Sequence, residues 1–233
     1  MLSSDDAWAV GDTIMHWDGS VWSEVADPPT DARLWSVAMV TSDDGWAVGD
    51  DGTIAHWDGA SWATVDSPTD EWLTAVAMTS TDDGWAVGWQ GVILHWDGDS
   101  WTTADSPTDE WLYSIAMTSV NDGWAVGGMG TILRWDGTAW TTFPRHSTPI
   151  SDETLWSVKM VNPDDGWAVG DTILHWEGTT WTEVDRPEHR MLYSVDLTAI
   201  NNGWAVGERN TIMHWDGHAW VEAEGPGRNW VSH

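Results

Sequence analysis

One tetrapeptide, Trp-Ala-Val-Gly, recurs six times, with its tryptophan at Trp8, Trp46, Trp85, Trp124, Trp167 and Trp204. About ten residues after each stands a second tryptophan in a T-I-x-H-W-D-G context: Trp17, Trp57, Trp96, Trp135, Trp176 and Trp215. Five residues further on comes a third: Trp22, Trp62, Trp101, Trp140, Trp181 and Trp220. The steps between these last six are 40, 39, 39, 41 and 39, so six units account for the 233 residues. A period of this length means that one supersecondary unit is copied and stacked, and a copy cannot bury its apolar surface alone. The expectation is one domain spanning 1–233.

Each unit reads as four short strands. In the third repeat these are an apolar run over 73–78, then Trp85 to Gly88, then 92–96, then a strand opening at Trp101. Asp97-Gly98 supplies the hairpin turn between the last two, because Asp and Gly tolerate positive φ. The Asp pairs Asp43-Asp44, Asp82-Asp83 and Asp164-Asp165, with Asp122, recur before the Trp-Ala-Val-Gly strand and suggest Asx-turn duty. Prolines at Pro68, Pro107, Pro144, Pro187 and Pro226 fall between units, where no ladder donor is required. No apolar pattern has a 3.6-residue period. The prediction is therefore an all-β, six-bladed β-propeller with four antiparallel strands per blade. The spacing of Trp230-Val231-Ser232-His233 from Trp220 matches a first-type strand, whereas the first repeat lacks one. Pairing of the N- and C-terminal segments is thus expected to close the ring and remove two exposed strand edges.

The unit D-D-G-W-A-V-G-x-x-G-T-I-x-H-W-D-G-x-x-W, as at 43–62, resembles propeller repeats of many bacterial proteins of undefined role. It is more distantly similar to photosystem II assembly-factor propellers and to Asp-box (BNR) propellers. It departs from an Asp-box in its turn: Asp58-Gly59-Ala60-Ser61-Trp62 puts glycine one and tryptophan four residues after the aspartate, where the box has two and five. That shorter turn looks like the repeats of some bacterial propeller lectins. The resemblance implies a fold. It does not carry over a sialidase-type site, which needs an arginine cluster and a tyrosine nucleophile, because Tyr113 and Tyr193 occupy equivalent repeat positions.

Composition narrows the function. Thirty-eight acidic side chains against 8 basic ones give a formal charge of −30, and Lys159 is the one lysine. Nucleic acid is not expected as a ligand, since its binding is driven by Lys and Arg displacing counterions. There is no cysteine, hence no thiolate nucleophile or Cys-ligated metal, and no apolar run long enough to span a membrane. The N-terminus lacks the basic start and apolar stretch of a signal peptide. Oligomeric state and compartment leave no trace in the chain.

The repeated His16, His56, His95, His175 and His214, with Arg134 in the sixth place, suggest a metal ring at first sight. Geometry opposes it. The third strand of a blade lies two strand spacings, about 10 Å, beyond the first, so equivalent residues on different blades cannot approach one ion. Local hydrogen bonding is expected instead, with no cofactor and no catalytic set.

The residues outside the repeat consensus carry the functional expectation. Linkers between blades and loops between the second and third strands share one end of a propeller. That end gathers Asp70, Glu71 and Trp72, then Asp109, Glu110 and Trp111, with Trp89 and Gln90 from the loop between. Arg33, Trp35, Trp156, Tyr113, Tyr193 and Trp230 join the same rim. Trp89 has no counterpart in other repeats. Aromatic faces beside carboxylates suit a cation or a sugar. The expected role is a non-enzymatic module that recognises a protein or peptide, a basic one, through Trp72, Trp111, Trp89, Trp35, Arg33 and their flanking acids. A lectin with several equivalent shallow sites, or a structural module of a larger protein, are the alternatives.

Overall fold

The computed structural model describes residues 5–144, 153–185 and 190–223. The chain falls into two compact units, one of Met1–Ala125 with Leu133–Thr142 and one of Val126–Ile132 with Phe143–His233. The expected closing strand at Trp230 to His233, residues 1–4, and the long linker with Arg145 and His146 lie outside the described residues.

The third repeat shows how the sequence makes a blade. Its strands Leu73–Ser80, Asp83–Gly88, Ile93–Trp96 and Trp101–Thr103 pair antiparallel in chain order. Both faces of the two middle strands are apolar, and Ala86, Val87, Ile93 and Leu94 are fully buried. Five sheets have this four-stranded form, and the first shows three strands: Ala7–Val10, Ile14–Trp17 and Trp22–Glu24. The chain is an all-β protein of six blades, a β-propeller. Among the described residues no helix is long and apolar enough to cross a membrane. Between second and third strands sit single 3-10 turns that apolar periodicity does not reveal, at Asp50–Gly52, Trp89–Gly91, Gly128–Gly130 and Glu208–Asn210.

Tryptophan joins blade to blade. Within the first unit, Trp85 lies 4.6 Å from Trp135 and edge-on to Trp140 at 5.4 Å, both from the following blade. Trp8 with Trp57 and Trp62, and Trp46 with Trp96 and Trp101, repeat the arrangement. In the second unit Trp167 does the same with Trp215 and Trp220. The second-type tryptophan is anchored by its own blade: the Trp57, Trp96 and Trp215 indole N–H groups donate to the carbonyls of Ser42, Thr81 and Ile200 at 2.9–3.0 Å. Tilted and edge-to-face pairs at such spacings add to the burial of area by about 0.5–1.5 kcal/mol each.

The histidines complete the same unit. His95 stacks 4.3 Å from Trp85 and its Nε2 lies 2.9 Å from Asp83 Oδ1. His16–Asp6, His56–Asp44, His175–Asp165 and His214–Asn202 follow suit. In the fourth repeat the Arg134 guanidinium takes the place, over Trp124 and 3.0 Å from Asp122. The expectation of Asx-turn duty for the Asp pairs is corrected for their second member. Asp83 begins a strand, opposite Ser80 across a bulge, and accepts hydrogen bonds from His95 and the Thr79 hydroxyl. The turn duty falls to the Asp-Gly hairpins, where Asp97 Oδ1 accepts from the backbone N–H groups of Asp99 and Ser100 at 3.0 and 2.9 Å.

Those hairpins carry a pH signature. The Thr138 hydroxyl, then the backbone N–H groups of Ala139 and Thr138, hold the Asp136 carboxyl down to about 2 from its ordinary 3.8. A depressed folded-state pKa contributes stability that is full above the unfolded value and is lost as pH falls through the folded one. The margin in melting temperature of wild type over Asp136→Asn, constant above about pH 5, is therefore expected to shrink as pH drops towards 2. Circular dichroism melts of both proteins across that range check it, and a margin independent of pH would remove the carboxylate from the account.

Candidate functional site

The first unit assembles a continuous aromatic stack from three kinds of position. Arg33, Trp72 and Trp111 immediately precede Leu34, Leu73 and Leu112, the first residues of three first-type strands. Trp35 follows Leu34 at a bulge, out of register between the Leu34–Gly49 and Ser36–Val48 pairs. Trp89 opens a 3-10 turn. The Arg33 guanidinium lies 4.5 Å from the Trp35 ring. Trp35 and Trp72 stack at 6.2 Å, Trp72 and Trp89 at 4.3 Å, and Trp89 and Trp111 at 4.2 Å with planes 1° apart.

Backbone geometry explains why Trp89 reaches both neighbours. Its N–H donates to the Trp72 carbonyl at 2.9 Å, tying the loop to its own blade. Two residues on, Gly91 adopts φ +70° and packs so closely on the next linker that a Cβ would fall 1.9 Å from the Thr108 carbonyl oxygen. Only glycine combines that φ with that approach. The linker is itself rigid at this point: the Ser106 hydroxyl donates to the Thr108 carbonyl, and the Thr108 hydroxyl accepts from the Glu110 N–H, both at 3.0 Å. Trp89 is thus clamped between Trp72 and Trp111. The position has counterparts after all, filled by Asp50, Gly128 and Glu208 at the starts of the other 3-10 turns. What is special is the slot between two linker tryptophans.

Polar partners hold the stack in place. The Trp35 indole N–H donates to Asp50 Oδ1 at 2.6 Å, and the Gln90 amide donates to Glu71 Oε1 at 2.5 Å. Arg33 Nε lies 3.6 Å from Asp12 Oδ1. Asp12, Asp50 and Gly91 were not singled out as site residues by sequence, although aligning the loops of the repeats points to the last two. Asp70, Asp109 and Glu110 are exposed, and Glu71 is half-buried. Burial, and then the Glu110 carboxylate, push the Tyr113 hydroxyl above its ordinary value of 10.0, which places that carboxylate near the tyrosine. Trp35 and Trp111 keep 42% and 43% of their surface exposed. Trp156 and Tyr193 belong to the second unit, edge to face at 6.2 Å. Trp230 lies outside the described residues.

Cations elsewhere are already engaged. Among the described residues Arg33, Arg134, Lys159, Arg190 and Arg209 each contact a carboxylate. Among the described residues most carboxylates contact no Arg or Lys. Among the described residues no group of three or more His, Asp or Glu side chains is arranged to hold a metal. A separate open groove is lined by Trp96, Asp99, Ser100 and Trp101 beside the linker residues Asp66 and Pro68.

These features define the class: a β-propeller repeat protein whose linkers and loops, rather than its strands, carry the variable chemistry. No family model and no curated protein matches the chain. Solved structures do. YCF48 bound to a D1 peptide superposes with a TM-score of 0.73 at 17% identity, over 95% of this chain and 78% of that one. YCF48 from Cyanidioschyzon merolae matches with TM-score 0.73 and 15% identity, over 96% and 82%. The computationally designed Ika8 protein matches with TM-score 0.73 and 14% identity, over 96% and 72%. A designed protein among the matches underlines that the likeness is one of fold.

Proposed function

We propose that the chain is a non-enzymatic binding module that recognises a basic protein or peptide through the Trp35–Trp72–Trp89–Trp111 stack and its acidic border. The observation that carries this reading is the stack itself: four indoles in succession with centroids 4.2–6.2 Å apart, two of them well exposed, edged by Asp70, Asp109 and Glu110. Rigid aromatic surface with little side-chain entropy to lose is what binding hot spots are made of. The pairing of every described Arg and Lys with an acid leaves a net negative field to steer a cationic partner. One similar propeller, YCF48, is known bound to a D1 peptide. Among the described residues the stack also occurs once, because the aligned loop positions carry Asp50, Gly128 and Glu208, whereas a lectin of equivalent sites would repeat it.

Intrinsic fluorescence titration with short Gly-Ser peptides bearing two arginines, two lysines, two glutamates or no charge tests the reading. Saturable binding of the basic peptides is expected, weakened by salt and reduced at least about tenfold in Trp72→Ala/Trp111→Ala. Binding of none of them, or equal binding of the acidic peptide, would overturn it. A glycan array run beside it gives the lectin its chance: sugar binding that survives the double substitution would place recognition in the repeated Asp-Gly-x-x-Trp turns.

A further inference from the structure

We infer that the exposed side of Trp111 receives an arginine side chain of the partner, with Asp109 and Glu110 as its counter-charges; this rests on the peptide-binding reading above. The stack contains its own precedent. Arg33, Trp72 and Trp111 occupy one repeat position, each just before the leading leucine of a blade. Where the second repeat places arginine, the guanidinium lies 4.5 Å from the Trp35 ring, with Asp12 3.6 Å from Nε and Asp50 on the indole N–H. The stack therefore already accepts a planar cation in the place of an indole, provided carboxylates stand beside it.

At its other end the stack stops short. Trp111 has Trp89 parallel on one side, and within the described residues of the first unit no second ring or cation contacts it. Asp109 and Glu110 are exposed, as a cation's partners need to be before it arrives, and neither has a basic partner within the described residues. A guanidinium suits this place better than an ammonium. Its flat, weakly hydrated face stacks on indole while its edge donates to carboxylates, and a lysine can do one or the other.

The experiment compares an acetylated Gly-Ser-Arg-Arg-Ser-Gly peptide with its Lys-Lys and citrulline-citrulline analogues by calorimetry on the whole chain. Citrulline keeps the shape and loses the charge. Binding is expected to fall about fivefold or more with lysine and at least about tenfold with citrulline. Trp111→Ala should lose at least about tenfold and Trp111→Phe less, with the melting temperature lowered by only a few degrees because the side chain is 43% exposed. Asp109→Asn/Glu110→Gln, which leaves the aromatic stack intact, should weaken the arginine peptide and flatten its salt dependence. Equal affinity for the arginine and lysine peptides, or an unchanged affinity in Trp111→Ala, would overturn the arginine assignment while leaving a basic-peptide module standing. Binding of neither would take the parent reading down with it.

Discussion

Replacing Trp85 by alanine is expected to cost about 3–5 kcal/mol of folding stability, the largest single effect foreseen for this chain. Its indole is 3% exposed and is the meeting point of one blade's His95 with the next blade's Trp135 and Trp140. Truncation removes one of the largest side chains from a site walled by other rigid rings, which cannot collapse into the space. Trp89→Ala provides the contrast. That ring has comparable aromatic contacts, but it sits half-buried on a surface stack, and its loss should cost about 1–2 kcal/mol. Urea denaturation of the two variants side by side distinguishes them. If Trp85→Ala unfolds no earlier than Trp89→Ala, blade cohesion does not reside in the repeated tryptophans.

Gly91→Ala is expected to dismantle the candidate site from a distance. A methyl group there meets the Thr108 carbonyl oxygen at 1.9 Å and its carbon at 2.8 Å, on a backbone at φ +70°. The loop must retreat from the linker, at a strain cost of about 1–3 kcal/mol. Trp89 and Trp111 are fixed to opposite sides of that contact, so their parallel stacking is lost. The indole N–H resonances of both residues should move in NMR spectra as each leaves the other's ring current, and affinity for the arginine peptide should fall with them. Gly98→Ala is the control: it also has positive φ, +92°, but lies in a hairpin turn against Asp82. It should cost stability and leave the two indole resonances where they are. Unmoved Trp89 and Trp111 signals in Gly91→Ala would show that the glycine does not position the stack.

Much of this was open to reading in the residues alone, for a physical reason. Repetition at a fixed period makes equivalent positions visible, and strand pairing within a blade is local, so the third repeat's four strands are found within a residue or two of their observed bounds. Asp before Gly reads as a turn, so sequence alone puts the second Asp of each pair in one. Its partners, His95 and Thr79, become apparent only when the strands are laid side by side. Arg33, Trp35, Trp72, Trp89 and Trp111 stand out as candidates because they depart from the repeat consensus. Their order in the stack does not, since it depends on a bulge at Trp35 and on Gly91's approach to Thr108, which no periodicity encodes.

The blade interface has a consequence for ancestry. The third repeat bears both halves of the contact: its Trp85 indole accepts Trp135 and Trp140 of the blade after it, and its Trp96 and Trp101 fill the blade before it at Trp46. A gene segment encoding one repeat, copied in tandem, thus arrives with a compatible joint at either end, and no compensating change is needed for the newcomer to fit. Drift is then free to act where the joint is indifferent, at the residue that opens the loop after Gly49, Gly88, Gly127 and Gly207. There aspartate, tryptophan, glycine and glutamate now stand in otherwise near-identical copies. One residue per blade can thus vary at the surface while the strands beneath it keep their pairing.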